Sequence, residues 1–368
     1  MQTFSHFLRK CCRKLFFSIN LQIKSDYKKV LHTMRPQITI KDIAKALGIS
    51  PSTVSRALQD HPDISKKTRE KVQSYAKANH YKPNAIALSL KKQRTNIIGV
   101  IVPDMVHNFF ASVLAGIEDT ASRKGYNVIL CQSSEQYDKE VDCLDTLMAS
   151  HVSGLLASIS KSTTKFDHFK EAIEDDLPIV FFDRVSSDLN TDQVVADDYS
   201  GAYAAVNHLI ETGCKRIAFY GAPEHLKLSQ ERKRGYMEAL KNHGIEIDDE
   251  IIFECDNRDA AIELTPKVLQ LKNCPDAFFA VNDYTASGII YAVKHAGLRI
   301  PEDISICGFG DGTVARISDP ELTTVEQNGY EIGTAACRRL IERMESKEEL
   351  PFTRTVIETR LIKRNTTK

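Results

Sequence analysis

The sequence predicts a small all-helical head followed by a larger α/β body built as two similar lobes. Three observations predict it. Between residues 38 and 80, short apolar stripes at helical spacing are punctuated by cap residues and a Gly turn. Between residues 95 and 350, short apolar runs alternate with helical stretches, and glycines stand between helix and strand in "RKGYNVIL", "ETGCKRIAF" and "HAGLRIPEDISICGF". The charge is divided as well. The chain of 368 residues is formally neutral, yet residues 35–94 hold 13 Lys and Arg against 4 Asp and Glu, a net +9. Residues 95–368 hold 29 against 44, a net −15. A basic head on an acidic body points to a polyanionic partner for the head alone.

The length suits two or three domains of ~100–200 residues each. The 9 cysteines are scattered and form no CxxC. Cys131 and Cys307 stand inside apolar runs and read as small core residues. Without a disulfide framework, a reducing cytoplasm is the expected compartment. No run approaches the ~20 apolar residues of a membrane span. Residues 1–33 contain "FLRKCCRKLFFSINL", basic and then briefly apolar, but Asn20 interrupts the run and no A-x-A site follows. They are expected to be an extension outside the folded domains, disordered or untranslated, with Met34 as the initiator. The alternative is a basic arm that adds phosphate contacts.

In the head, "TIKDIAKALG" places Ile40, Ile43, Ala44 and Leu47 on one stripe. Thr39 and Asp42 form a capping-box-like start, and Gly48 ends the helix. Ser50 can cap a second helix with Pro51 at its first position. Val54, Ala57 and Leu58 face inward, so Pro51, Ser52, Thr53, Ser55 and Arg56 are expected on exposed faces. A third helix starts at Ser65, with Val72, Tyr75 and Ala76 on its stripe. Two short helices joined by a Gly turn, with a third in support, make a helix-turn-helix. The second helix is narrow enough for a major groove, with its N-terminal side chains nearest the bases. The hydroxyls of Thr39, Ser50, Ser52, Thr53 and Ser55, with Pro51, are the candidate DNA contacts: hydroxyls reach base edges or phosphates without bulk, the helix N-terminus attracts phosphate, and Arg56 adds a charged contact. A three-helix protein-docking module is the plainer alternative, and the next segment weighs against it.

With that segment included, "TVSRAL", "KTREKV" and the Tyr-x-Pro-Asn run that opens "YKPNAIALSL" give a specific match. From about Thr39 onward the chain resembles the lactose-repressor/galactose-repressor (LacI/GalR) family of bacterial transcription regulators. The resemblance implies a helix-turn-helix DNA-binding domain over residues 38–82. It implies a hinge helix and linker over 83–94 that folds on DNA and pairs with its twin across a dimer. Leu90 matches the family's minor-groove wedge, Ala87 a neighbouring contact, and Asn84 belongs to the same motif. Eight residues are too few for a stable lone helix, and an apolar wedge between base steps kinks the duplex. The plainer reading is a tether with a helical turn.

In the body, the clearest strands are expected at residues 97–102, 126–131, 154–158, 179–182, 216–220, 277–281 and 305–308. This rhythm signals parallel sheets covered on both faces, repeated on either side of residues 180–200. Ligands of open α/β sheets sit beyond the carboxyl ends of the strands, so the cleft between lobes is the natural pocket. The resemblance implies a two-lobed periplasmic-binding-protein-like body over residues 95–364, whose cleft takes a small effector, a sugar or sugar derivative, sugar phosphates included.

By the same resemblance, Asp183 and Arg184 of "FFDRV" face the cleft, and Arg232 of "ERKRGY" grips effector hydroxyls. Asn282 and Asp283 of "AVNDYTASG" are the strand-end pair that faces the ligand. In "VPDMVHNFF", Asp104 and Asn108 are candidates for hydroxyl contacts, and Phe109 or Phe110 for ring stacking. Carboxylates, amides and guanidinium suit vicinal hydroxyls because each forms paired hydrogen bonds. Plainer roles compete: Asp183 with Arg184 as a structural pair, Asp283 as a helix cap, one Phe as core.

Two departures stand out. "GFGDG" has Gly310 where the family has an acidic residue, with Asp311 one place later, and "VHNFF" replaces the usual Asn-Pro-Phe-Phe. After Gly329 come a helix, strand-like "RTVIETRLI" and a polar end, with no leucine-heptad tail. A homodimer on pseudo-palindromic double-stranded DNA is therefore expected. A transport solute-binding protein would explain the body but not the basic head. An enzyme is disfavoured, because no Gly-x-Ser-x-Gly, His-Glu-x-x-His or Walker pattern occurs. No cofactor, metal or membrane partner is expected.

Overall fold

The computed structural model describes residues 38–81, 95–105 and 108–368. The chain divides into two compact units, with the boundary between residues 92 and 93.

In the first unit, α1 (Ile40–Leu47), α2 (Pro51–Leu58) and α3 (Lys66–Ala78) enclose one small core. Ile43, Ala44, Val54, Ala57, Val72 and Ala76 are buried, and Tyr75 packs against them. The three helix starts are those the caps predict. Thr39 and Asp42 form a complete capping box, Ser50 accepts from Thr53 N, and Ser65 accepts from Thr68 N. Gly48 adopts φ 64°, a left-handed C-cap whose N–H donates to Ala44 O and ends α1 before the turn into α2.

The second unit holds two sheets. The first contains β1 (Ile97–Val102), β2 (Asn127–Gln132), β3 (Gly154–Ala157), β4 (Ile179–Phe182), β5 (Asp192–Ala196) and, from the C-terminal region, Arg354–Ile357. The second contains β6 (Ile217–Gly221), β7 (Ile252–Glu254), β8 (Ala277–Ala280), β9 (Ser305–Gly310), β10 (Thr323–Glu326) and Arg360–Ile362. The last two strands are β11 and β12. The orders are β11-β5-β4-β3-β1-β2 and β12-β10-β9-β8-β6-β7. Every pairing is parallel except β10 with β12. Helices α4 (Asn108–Arg123), α5 (Tyr137–Ala149), α6 (Asp167–Glu174) and α12 (Gly329–Glu345) belong to the first lobe. Helices α7 (Asp198–Glu211), α8 (Lys227–Asn242), α9 (Arg258–Leu269), α10 (Asp283–His295) and the short α11 (Thr313–Ile317) belong to the second.

The seven expected strands are all present, with ends shifted by one or two residues. Three more carry weaker signals. β7 is three residues at a sheet edge. β10 reads Thr-Thr-Val-Glu, so its buried surface is largely hydroxyl. β5 opens on Asp192, a fully buried carboxylate held by Arg339 and Arg343.

The tail corrects the reading of one strand. "RTVIETRLI" is split by Glu358 and Thr359 into β11 and β12, one in each sheet. The chain thus passes between lobes three times, near residues 197, 327–328 and 358–359. Backbone and side-chain bonds tie the passages together: Asp197 N donates to Ile357 O, Thr359 Oγ1 to Asp197 O, and Asn328 Nδ2 to Glu358 O. The polar end is also packed rather than loose. Thr366 and Thr367 are buried, and Thr366 Oγ1 accepts from Thr323 N. Cys307 is core as expected, whereas Cys131 on β2 is only half-buried. No described helix is long and apolar enough to cross a membrane.

Candidate functional site

The head presents the start of α2 to solvent. Pro51, Ser52 and Arg56 are exposed, whereas Thr53 and Ser55 are half-buried, so the polar face is narrower than expected. The hydroxyls form a cluster: Ser50 Oγ bonds Ser52 Oγ at 2.7 Å and Thr53 Oγ1 at 2.8 Å while accepting from Thr53 N at 3.1 Å. Ser50 is therefore engaged in holding the helix start. Thr39 is exposed but likewise engaged, donating to Asp42 Oδ2 at 2.7 Å. Among the described residues Arg56 has only a loose contact, 3.9 Å to Asp63, and both side chains are solvated. Asn84, Ala87 and Leu90 lie outside the described residues.

The body's cleft opens between the lobes, where strand ends of both sheets meet, and encloses about 830 Å³ including its solvent-open mouth. Its wall takes Asn108, Phe109, Phe110, Lys161, Asp183 and Arg184 from the first lobe. From the second come Arg232, Asp256, Asn282, Asp283, Tyr284 and Phe309, among others. All the predicted effector residues stand on this wall except Asp104, which is half-buried outside it. Phe110 is 3% exposed and belongs to the core while its edge meets Phe109, with ring centroids 5.3 Å apart.

The structure reassigns several partnerships. Arg184 does not pair primarily with Asp183, which is 4.0 Å away. Its Nη1 donates to Glu135 at 2.7 and 2.9 Å. Burial pushes the Glu135 carboxyl up, but Arg184 outweighs it and the pKa is lowered. Arg232 is 4% exposed and heavily committed. Its Nε donates to Asp198 at 2.8 Å, its Nη1 to Val281 O at 2.5 Å, and its guanidinium lies 3.8 Å over the Phe309 ring. It braces the wall at least as much as it could grip a ligand.

Asn282, not Asp283, caps α10: its Oδ1 accepts from Thr285 N at 2.8 Å, while its Nδ2 donates to Asp256 O. Asp283 instead holds the loop after β9, accepting from Gly312 N at 2.9 Å and Thr324 Oγ1 at 2.5 Å. Burial raises the carboxyls of Asp183 and Asp283 to about 6, against opposition from Arg184 for the first and from the Thr324 and Gly312 bonds for the second.

Contacts among the described residues join the lobes across the cleft. Lys161 Nζ meets Asp256 Oδ2 at 2.5 Å, His225 Nε2 donates to Lys161 O at 2.7 Å, and Asn108 Nδ2 donates to Thr313 Oγ1. Glu135, Lys161, Asp198, Asp256 and Tyr284 were not predicted. Tyr284 stands inside the "AVNDYTASG" motif next to the predicted pair, whereas the other four stand in loops or a first helical turn whose local sequence carries no distinguishing pattern. Among the described residues no group of His, Cys, Asp and Glu is arranged to hold a metal ion.

Known proteins share both parts. The sequence model for bacterial regulatory proteins of the lacI family matches residues 39–84, and that for a periplasmic binding protein-like domain matches residues 206–367. Catabolite control protein A of Priestia megaterium is 34% identical over 309 residues, covering 83% of this chain and 92% of that protein. The chain belongs to the lacI family of bacterial regulatory proteins.

Solved structures agree with this placement. The lac repressor dimer bound to operator and the anti-inducer ONPF matches with a TM-score of 0.80 at 25% identity, over 90% of this chain and 99% of that one. A complex of the transcriptional regulator CelR with cellobiose matches with a TM-score of 0.68 at 27% identity, over 90% and 100%. As a lacI-family member the chain is a DNA-binding transcription regulator and not an enzyme. Within the family pattern its "GFGDG" departure is structural. Gly310 has φ +139°, and a Cβ there would approach Asp283 Oδ2 to 3.2 Å. Asp311 does not substitute for the missing acid, because it pairs with Arg364 at 2.5 Å and Arg316 at 2.8 Å and is not on the wall.

Proposed function

We propose that this regulator is a repressor that binds a pseudo-palindromic operator as a homodimer and is controlled by a carbohydrate held in the cleft of residues 95–364. The observation that carries the reading is the union, in one chain, of a helix-turn-helix and a cleft rich in paired hydrogen-bonding groups. Asp183, Asp283, Arg184 and Asn108 offer carboxylate, guanidinium and amide partners for hydroxyls, and Phe109 and Tyr284 offer ring faces. The operator-bound and cellobiose-bound relatives support both halves.

In this reading the domain of residues 38–82 enters the major groove through Pro51, Ser52, Ser55 and Arg56, and residues 83–94 fold as hinge helices on the duplex. Leu90 then wedges the minor groove, with Ala87 and Asn84 beside it. Ligand in the cleft favours one angle between lobes and DNA favours the arrangement that seats both hinges. The two binding events are coupled by ~1–3 kcal/mol. The protein acts in the cytoplasm, where both partners are found.

Selection of bound sequences from randomised duplexes, with and without a panel of mono- and disaccharides, tests the reading. A dyad-symmetric sequence should be enriched, and one saccharide should change its affinity about 5–150-fold. Retention of no duplex at modest ionic strength, with or without saccharide, ends it.

A further inference from the structure

The cleft's basic wall residues are Lys161, Arg184 and Arg232, and each already has a carboxylate of its own. Lys161 meets Asp256 at 2.5 Å, Arg184 meets Glu135 at 2.7 Å, and Arg232 meets Asp198 at 2.7 Å. Two further wall carboxylates, Asp183 and Asp283, receive no hydrogen bond from a cation among the described residues. Asp183 is 8% exposed; its nearest basic atom is Arg184 Nε at 4.0 Å, and its carboxylate receives no hydrogen bond among the described residues. Asp283 accepts hydrogen bonds from the neutral donors Thr324 and Gly312, with the Arg364 guanidinium acting on it at longer range. Burial raises both carboxyls, but only to about 6, so both remain mostly ionised at neutral pH.

The lining itself is balanced, Lys161, Arg184 and Arg232 against Asp183, Asp256 and Asp283, and because Glu135 and Asp198 behind it already hold the two arginines, every wall cation is engaged before a ligand arrives. The N-terminus of α10, whose first residues line the cleft, offers an anion little: Asn282 caps it and Asp283 occupies its first turn.

We propose that the cleft selects uncharged, hydroxyl-rich ligands and rejects their phosphate esters, with Asp183 accepting hydrogen bonds from a vicinal pair of ligand hydroxyls. The proposal rests on the carbohydrate reading and narrows it. A phosphate ester brings about −1.5 to −2 charges at neutral pH. To neutralise it, a wall cation must leave a carboxylate that is itself largely buried, which strands that carboxylate without a partner. A neutral polyol asks for no such exchange. Its hydroxyls donate to the two Asp183 oxygens, whose geometry suits adjacent donors.

The test is calorimetric titration of the full-length protein with ribose, glucose, galactose and cellobiose, with ribose 5-phosphate, glucose 6-phosphate and galactose 6-phosphate, and with inorganic phosphate alone. Hydrogen exchange at peptides covering residues 108–110 and 281–284 localises any effect to the cleft. A sugar that binds should bind about tenfold or more tighter than its phosphate ester. Asp183→Asn should weaken the neutral sugar and narrow its advantage over the ester. An ester that binds as tightly as its parent sugar overturns the proposal, as does an unchanged preference in Asp183→Asn. If neither series binds, the carbohydrate reading fails, and the inorganic phosphate arm still decides charge selection. Protection of the cleft peptides by millimolar phosphate overturns it, and indifference supports it.

Discussion

Burial raises the carboxyl of Asp183 from 3.8 to about 6 in the folded protein. The folded state therefore holds this proton more tightly than the unfolded chain does. The stability linked to that proton is complete below pH 3.8 and is lost as pH rises through about 6. At pH 7 the buried, poorly partnered carboxylate costs on the order of 2–3 kcal/mol. Asp183→Asn should therefore be more stable than the parent in urea denaturation at pH 7, and the gap should close near pH 4. The substitution adds little backbone strain, because Asp183 sits at φ 58° and Asn tolerates that region well. A variant less stable than the parent at pH 7 would show that the carboxylate makes a bond that holds the fold. The motif "FFDRV" located Asp183 and Arg184 in the sequence, but Glu135, 49 residues upstream of Arg184, is joined to it only by folding. The same holds for Arg232 with Asp198 and for Lys161 with Asp256, whose spacings follow no helical or strand period.

Helices α4 and α12 touch backbone to backbone at two glycines. A Cβ on Gly333 would lie 2.0 Å from Val113 O, and one on Gly116 would lie 2.2 Å from Tyr330 O. In an isolated helix Gly→Ala stabilises by roughly 1 kcal/mol. Here the sign should reverse, because the only relief is to move two helices apart over a core that includes Ile332, Ala336 and Leu340. Gly333→Ala should lose about 1–3 kcal/mol and several degrees of melting temperature. An unchanged or raised melting temperature would mean that α4 and α12 pack more loosely than this. Glycines between helix and strand were legible from their place at the end of an apolar stripe. Gly333 was not, since nothing near it in sequence announces the α4 backbone. Caps were the most legible elements: Thr39, Ser50 and Ser65 act within three residues of themselves. Strands β5, β7 and β10 were missed because their signal is tertiary: Asp192 is tolerable at 0% exposure only beside Arg339 and Arg343.

For the protein as a whole, the split of charge sets how binding responds to salt. A head of +9 on a body of −15 confines phosphate contacts to the head, while the body repels the duplex. The logarithm of operator affinity should fall linearly with the logarithm of salt concentration, with a slope near −0.9 per phosphate neutralised. Arg56→Ala, which removes an exposed cation held, among the described residues, only by a 3.9 Å contact, should weaken operator binding and flatten the slope by about one contact. Its saccharide affinity in titration calorimetry should be unchanged; equal loss of both would contradict separate head and body functions.

Local physics was enough for the helix starts, the βα rhythm, the division into head and body and the family motifs. Caps, apolar periods and charge clusters act over distances shorter than a turn or two of chain, so they can be read along the sequence. The cleft's electrostatics could not be read that way. Which carboxylate each cation finds, which acid is left over and where "RTVIETRLI" passes from one sheet to the other depend on residues far apart in sequence meeting in space, Arg232 with Asp198, Lys161 with Asp256 and Arg354 with Gln193 among them. Burial then changes the energy of every charge among them, and burial is a property of the folded chain alone.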